Sequence, residues 1–266
     1  MKLSLKMSQP AKDGAPFVVL IHGMGSAATA WKPLLPFLSE SFNIITVDLP
    51  GHGLSPIKKN QAMDPKSIAD LVFSEIKREF DISEFHLIGN SWGGWVALEI
   101  AANYGGNVKS VLALAPAGMW MTTFVKRYPG ATFLRLLAKS SSPLAPSLLK
   151  YEKSREFSFS NVSPQWRQFT YELCLDATIA MSRSVGYFPA WDGMLNKRFD
   201  SKIDPSIPIS IVFGDSDNTL PAANCQEKLM APAHANWITF ENSGHAPMWD
   251  QPAKVAAELF SVAGVR

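Results

Sequence analysis

Six short, continuous apolar runs, each bounded by turn-forming residues, constrain this chain most. They are Phe17–His22, Asn43–Leu49, Phe85–Ile88, Val111–Ala115, Ile209–Phe213 and Trp237–Phe240. A strand that is apolar on both faces has to be covered on both faces, so these runs predict interior strands of a sheet. Helical patterns lie between them. One opens at Asp64-Pro65 and carries Ile68, Leu71, Val72, Ile76 and Phe80 along a single stripe. Another carries Trp95, Leu98, Ile100 and Ala101, and a last one Val255, Leu259 and Val262. Strands alternating with helices predict βαβ units, hence an α/β fold whose mostly parallel central sheet is flanked by helices. Near the start, Leu3, Leu5 and Met7 alternate with Ser4 and Lys6, the period of one further short strand.

One segment breaks the rhythm. Residues 118–200 are rich in Met, Trp, Phe, Ser and Pro and contain no buried-strand run. Ala131–Ala138 and Pro164–Cys174 have helical character, and Ser140–Ser142 followed by Pro143 reads as a linker or turn. An insertion of this length is too long for an ordinary connection between a helix and a strand. It predicts a helical cap or lid over a core made of residues 1–117 and 201–266. The segment has eleven Lys and Arg against six Asp and Glu. Scattered basic residues of this kind usually form a solvated face.

Composition narrows the function classes. Apolar residues make up 47% of the 266, enough for a large core, and the net charge is only +2, which gives no case for a nucleic-acid partner. No stretch approaches the roughly 20 apolar residues of a membrane span. The first fourteen residues have lysines at positions 2 and 6 but no apolar core of a signal peptide. Cys174 and Cys225 are too few for a disulfide framework or a Cys-rich zinc site. The expectation is a cytoplasmic enzyme with an apolar pocket.

The chemistry concentrates at Gly89-Asn90-Ser91-Trp92-Gly93-Gly94, directly after one predicted strand and before a helical pattern. A sharp strand-to-helix turn leaves no room for neighbouring side chains, which Gly89 and Gly93 lack. It lifts the Ser91 hydroxyl above the sheet edge at a helix N-terminus. A serine hydroxyl needs a base. Of the five histidines, His245 sits in Asn242-Ser243-Gly244-His245-Ala246-Pro247, after the run Trp237–Phe240. A loop at the carboxyl end of a parallel strand faces the crevice where ligands bind. The base needs an orienting carboxylate, and two acids compete in Gly214-Asp215-Ser216-Asp217, with Asp217 preferred over Asp215. Gly23-Met24-Gly25 follows the first long run, and the backbone N–H groups of Met24 and Trp92 are assigned as oxyanion donors.

Taken together these motifs resemble the α/β-hydrolase superfamily. The match runs through His22–Gly25, Asp48–Ser55, Gly89–Gly94, Gly214–Pro221 and Gly244–Pro247, in that order, and covers residues 15–117 and 201–262. The resemblance implies the α/β-hydrolase fold, with the helical cap inserted before the strand that carries the catalytic acid. The family pattern aligns Asp217, not Asp215, with that acid. It implies that His22 and His52 shape their loops, and that Asp250 stands at a helix N-terminus or supports the site from behind. Haloalkane dehalogenases and epoxide hydrolases of this fold have Asp at the elbow; Ser91 implies ester or acyl chemistry instead.

The motifs are similar to those of small capped carboxylesterases and pimeloyl-ACP methyl ester esterases. The implied activity is hydrolysis of carboxylic esters of small to medium acyl chain, with no metal and no organic cofactor. Met24, Trp92, Met119, Trp120, Met121, Phe124, Phe188 and Trp191 are candidate liners of an apolar substrate pocket. An acyl carrier protein is a candidate partner beside a small-molecule ester. The same triad also serves C–C bond hydrolysis of a vinylogous diketone. That substrate's carboxylate calls for a buried arginine in the cap, with Arg127, Arg135, Arg167 and Arg183 available. A third reading is a ligand receptor that keeps the triad.

Overall fold

The computed structural model describes residues 2–8 and 12–265. Met1, residues 9–11 and Arg266, which the sequence places in the polar leader stretch and at the end of the last core segment, lie outside the described residues. Seven strands form one sheet: β1 (Ser4–Met7), β2 (Phe17–Ile21), β3 (Asn43–Asp48), β4 (Phe85–Asn90), β5 (Val108–Leu114), β6 (Ile209–Gly214) and β7 (Asn236–Phe240). Their spatial order is β1-β3-β2-β4-β5-β6-β7. Only β1 is antiparallel to its neighbour, pairing Ser4 with Asp48; the other pairs are parallel, for instance Val18 with His86 and Val111 with Ile209. The predicted mostly parallel sheet is therefore present, and the continuous apolar runs are its buried interior strands. All residues of β3, β4 and β6 are buried.

The chain winds one way from β2 to β3 and the other way from β4 onward. The switch point lies between β2 and β4, where open α/β sheets form their ligand crevice. That places the loop after β2 (His22–Gly25) beside the turn after β4 (Ser91).

Seven helices of eight or more residues are present among the described residues. α1 (Pro65–Phe80) starts where the sequence predicts: the Asp64 side chain accepts a hydrogen bond from the Ser67 backbone N–H at 3.1 Å, and Pro65 occupies the first helical position. Ile68, Ala69, Val72 and Ile76 are its buried face. α2 (Trp92–Asn103) is buried on every side from Trp92 to Ala101, which explains why its sequence shows little amphipathic pattern. α7 (Pro252–Ala263) closes the opposite face of the sheet through Val255, Ala256 and Leu259.

Between β5 and β6 lie α3 (Pro129–Ser141), α4 (Glu152–Phe159), α5 (Tyr171–Arg183) and α6 (Tyr187–Met194), with no strand among the described residues. Ala145, Leu149, Phe159, Trp166, Phe169, Leu173 and Cys174 form a separate apolar cluster there. Two local expectations change. The predicted turn at Ser140–Ser142 continues α3 into a single 3-10 turn, because the three serine hydroxyls bond back to the carbonyls of Leu137 and Lys139 instead of breaking the helix. The helix expected from Pro164 starts only at Tyr171, where the Thr170 hydroxyl caps the Leu173 N–H at 3.1 Å. No helix among the described residues is long and apolar enough to cross a membrane.

Candidate active site

Ser91 lies between β4 and α2 with φ 55° and ψ −120°, a backbone conformation that a side-chain-bearing residue adopts at a cost of about 1–3 kcal/mol. The surroundings enforce it. The Ser91 N–H donates to the Leu114 carbonyl at 2.9 Å, and the Ser91 carbonyl accepts from the N–H groups of Gly94, Trp95 and Ala117. A Cβ on Gly89 would stand 2.2 Å from the Gly93 carbonyl oxygen, and one on Gly93 2.2 Å from the Ile21 carbonyl oxygen. The glycines on either side of Ser91 are thus required by backbone contact. Ala115, expected inside β5, instead turns left-handed at φ 43°, and its N–H reaches the Val212 carbonyl.

His245 and Asp217 meet. Asp217 Oδ2 accepts a hydrogen bond from His245 Nδ1 at 2.9 Å, and the acid side chain is fully buried. Its other oxygen, Oδ1, accepts from the N–H groups of Thr219 (2.9 Å) and Leu220 (2.8 Å). One carboxylate therefore makes an Asx-type turn and faces a histidine at once. Burial alone would raise the Asp217 pKa; the facing His245 and the two backbone N–H groups outweigh it and hold the acid below the usual carboxylate range. Asp215, the competing acid, is exposed and bonds Ser216 Oγ and the Ser243 N–H, not His245.

Ser91 Oγ makes no hydrogen bond to His245 among the described residues. The two loops are nevertheless tied by Asn90, whose buried side-chain amide donates to the carbonyls of His245 (3.0 Å) and Leu114 (3.1 Å). From below, Asp250 accepts from the Gly244 N–H (2.7 Å), Ser243 Oγ (3.2 Å) and Ser163 Oγ. Burial pushes the Asp250 pKa up, although these donors act against it. Ser163 belongs to the inserted segment, and the neighbouring Val162 carbonyl accepts from the His245 N–H at 2.8 Å. Asn90 and Ser163 escaped the sequence reading, since their partners lie 155 and 87 residues away.

The loop after β2 is shaped by His22. Its Nε2 accepts from the Leu49 N–H at 3.0 Å, so Nδ1 carries the proton and donates to the Gly23 carbonyl at 2.7 Å. Drawing the carbonyl of the Gly23–Met24 peptide one way turns the trans N–H of Met24 the other way. Among the described residues neither the Met24 nor the Trp92 backbone N–H has an acceptor. Burial lowers the His22 pKa to about 4 and that of His52 to about 3, so both rings are neutral near pH 7.

The candidate pocket liners divide. Trp120 is 2% exposed, donates through Nε1 to the Lys197 carbonyl, and packs edge-on against Trp95 and Phe124. Trp191 packs edge-on against Phe124. Phe188 is half-buried, with the Arg127 guanidinium 4.7 Å above its ring. Met119 is buried in the main core, whereas Met121 is exposed. An open groove lined by Lys66, Glu99, Arg198 and His234 borders this cluster through Trp95 and Lys197 but includes none of the candidate liners.

Residues 18–258 match the description of the Alpha/beta hydrolase family. The chain is similar to monoacylglycerol lipase ABHD6 of Bos taurus, 24% identical over 265 residues that span 92% of this chain and 74% of that protein. It is also similar to the pimeloyl-acyl-carrier-protein methyl ester esterase of Neisseria meningitidis, 28% identical over 261 residues, 92% of this chain and 76% of that one. Among solved structures, a meta-cleavage product hydrolase from Pseudomonas fluorescens superposes with a TM-score of 0.69 at 20% identity, covering 98% of this chain and 94% of that one. Naproxen esterase from Bacillus subtilis superposes with a TM-score of 0.65 at 18% identity, covering 97% and 86%. At these identities the superpositions establish the fold.

Proposed function

The chain belongs to the alpha/beta hydrolase family, and within it we propose a serine hydrolase that cleaves carboxylic esters of small to medium acyl chain through an acyl-enzyme. The observation that carries the reading is a histidine whose Nδ1 is held by a buried carboxylate at 2.9 Å, on a loop that Asn90 ties to the turn of the strained, half-buried Ser91. That hydrogen bond fixes the tautomer: Nδ1 keeps its proton and Nε2 is the free base.

In the proposed reaction His245 Nε2 takes the Ser91 proton as Oγ attacks the ester carbonyl. Asp217 holds the ring and stabilises the imidazolium. The negative oxygen is received by the N–H groups of Met24 and Trp92. His245 returns its proton to the departing alcohol, then activates water to release the acid. Residues 118–200 serve as the cap that closes over the reacting centre and, with Trp120, Phe124, Phe188 and Trp191, supplies the apolar surface for the acyl chain. No metal enters the scheme, so activity survives chelation. The relatives named above for ester hydrolysis support the bond type, and the carrier-protein relative keeps an acyl carrier among the candidate partners.

The test is hydrolysis of p-nitrophenyl esters from acetate to decanoate by the wild type and by Ser91→Ala. Turnover falls by about 10³-fold or more in the variant, and the chain-length optimum sizes the pocket. Equal rates for the two proteins across the panel would remove the simple-esterase reading and leave C–C bond hydrolysis, carrier-bound esters or a receptor role.

A further inference from the structure

Ten of the thirteen large apolar side chains that are exposed among the described residues lie between 118 and 200. Five of them follow one line. Phe133, Leu136, Leu144, Leu148 and Tyr151 are 40–67% exposed and recur at intervals of three, four or eight residues. α3, the 3-10 turn Ser142–Leu144 and the short helix Ala145–Leu148 join without a break, and the backbone stays right-handed helical from Pro129 to Leu149. On a helix that spacing is one face, here about 30 Å long. The opposite face is the packed one. Arg135 is buried there and donates through Nη2 to the Ser184 carbonyl at 3.0 Å, while Ala145 and Leu149 join the apolar cluster of the inserted segment. A surface helix ordinarily turns its apolar stripe inward and its charges outward. This one turns Phe133 and Leu136 to solvent and a guanidinium inward, so its outer face is built for surroundings less polar than water.

Charge narrows what covers that face. Residues 118–151 contain five Lys and Arg and no Asp or Glu. Lys139 and Lys150 flank the stripe, Lys126 precedes it and Lys153 follows it. All four are exposed and make no ion pair among the described residues. The acids next in the chain, Glu152 and Glu156, are held by Arg167. A second copy docked by twofold symmetry would set these lysines against their own counterparts with no free acid to offset them. An anionic bilayer surface satisfies both features. Its headgroups attract the lysines, and its acyl boundary takes up the phenylalanine and leucine side chains of a helix lying in the plane of the interface.

We propose that the outer face of residues 126–153 docks the protein on an anionic lipid surface. The stripe from Phe133 to Tyr151 enters the headgroup–acyl boundary, and Lys126, Lys139, Lys150 and Lys153 bind the headgroups. The inference goes beyond the esterase reading and does not depend on it, because docking is read without turnover.

The experiment sediments the full chain with sucrose-loaded vesicles of phosphatidylcholine alone or with about one-third phosphatidylglycerol, in about 0.1 M salt. Wild type is expected to bind the anionic vesicles at least tenfold more tightly than the neutral ones. The triple variant Phe133→Ser, Leu136→Ser, Leu144→Ser loses detectable binding. Lys139→Gln with Lys150→Gln weakens it by about 25-fold, about fivefold for each lysine. Lys58→Gln with Lys59→Gln removes the same charge from an exposed loop outside the segment and leaves binding intact. All these positions are exposed, so melting temperatures stay within a few degrees of wild type and the folded state is tested throughout. Phe133→Trp on anionic vesicles is quenched by bromine-labelled acyl chains beyond the quenching of wild type. Equal binding to both kinds of vesicle, or none, would overturn the proposal. An equal loss in the loop variant would reduce it to general charge attraction. A dimer in sedimentation velocity that the triple serine variant disperses, without vesicle binding, would assign the face to a second copy. Retention of an acyl carrier protein through Lys139 and Lys150 without vesicle binding would assign it to an acidic protein. Vesicle binding by a chain that hydrolyses no ester would leave the docking face standing and remove the esterase reading.

Discussion

The side-chain amide of Asn90 donates to the backbone carbonyl of His245 at 3.0 Å, so the residue that precedes the elbow serine also holds the loop of the proposed base. The same amide reaches the Leu114 carbonyl. One buried side chain thus links the ends of β4 and β5 to the loop after β7. Asn90→Ala leaves two carbonyls short of a buried donor. The expected result is a loss of about 1–3 kcal/mol in stability, and a fall of about tenfold or more in kcat with a smaller change in KM, because a displaced base is felt most in the transition state. Steady-state kinetics beside a thermal melt separate the two. An unchanged kcat would mean that His245 is positioned by Asp217 and Val162 alone.

Gly93 tests the backbone argument for the elbow. A methyl group there meets the Ile21 carbonyl oxygen at 2.2 Å and the His22 carbonyl oxygen at 2.4 Å, which neither residue can yield without moving the loop after β2. Gly93→Ala is expected to lower the melting temperature and to abolish detectable turnover. Gly106→Ala, which meets nothing within 4 Å, serves as the neutral comparison. A Gly93→Ala protein with wild-type kinetics would show that the loop after β2 has slack that this packing denies.

His22 and His52 set a pH window for stability. Their pKa values fall from the ordinary 6.5 to about 4 and about 3 through burial. In the unfolded chain both bind protons near pH 6.5, whereas the folded chain does not, so the unfolded state holds more protons below that pH. Stability is therefore full above about pH 6.5 and falls on acidification toward pH 4, by up to about 1.4 kcal/mol per unit for each histidine. Asp217, with its pKa lowered on balance, adds a further loss below the ordinary 3.8. Urea melts between pH 7.5 and 4.5 measure the slope. A variant that removes one of the rings, such as His52→Gln, is expected to flatten it, and a flat profile in the wild type would contradict the buried neutral assignment.

The sheet is legible because buried parallel strands have no face to hide in the pattern: Phe17–Ile21 is apolar throughout, and Asn43–Asp48 has an apolar centre whose polar ends are also buried. Ser91, Asp217 and His245 were legible for a related reason, each standing in a glycine-bearing turn just past a strand end. What was not legible depends on partners remote in the chain. Ser163 and Val162 look like ordinary linker residues until the fold sets them under His245. The helices between β5 and β6 are less legible, because short helices capped by Thr170 or extended by back-bonded serines lack a long amphipathic stripe. Arg135 is one of several arginines in that segment, and the burial of its Nε and Nη1 without a partner among the described residues is a property of packing that no spacing encodes.

Asp250 couples the inserted segment to the His245 loop, and a single substitution should expose that coupling. Its carboxylate receives three donors, the Gly244 N–H and the hydroxyls of Ser243 and Ser163, the last contributed by the proposed cap. Asp250→Asn keeps the volume but replaces one accepting oxygen with a donating NH₂, which must face one of these donors. The Ser163 hydroxyl can rotate to accept, although it already receives the Gln165 N–H; the Gly244 N–H cannot. The expected cost is about 1.5–3 kcal/mol, the range for hydrogen bonds to a charged group. Ser163→Ala removes only the cap-side donor and is expected to cost less. Hydrogen exchange reports where the loss appears. If protection falls together at Val162–Gln165 and Ser243–His245 in Asp250→Asn, the acid is the joint between the segments. If it falls in neither, the joint is the Val162 carbonyl, which accepts the His245 N–H at 2.8 Å without help from the acid.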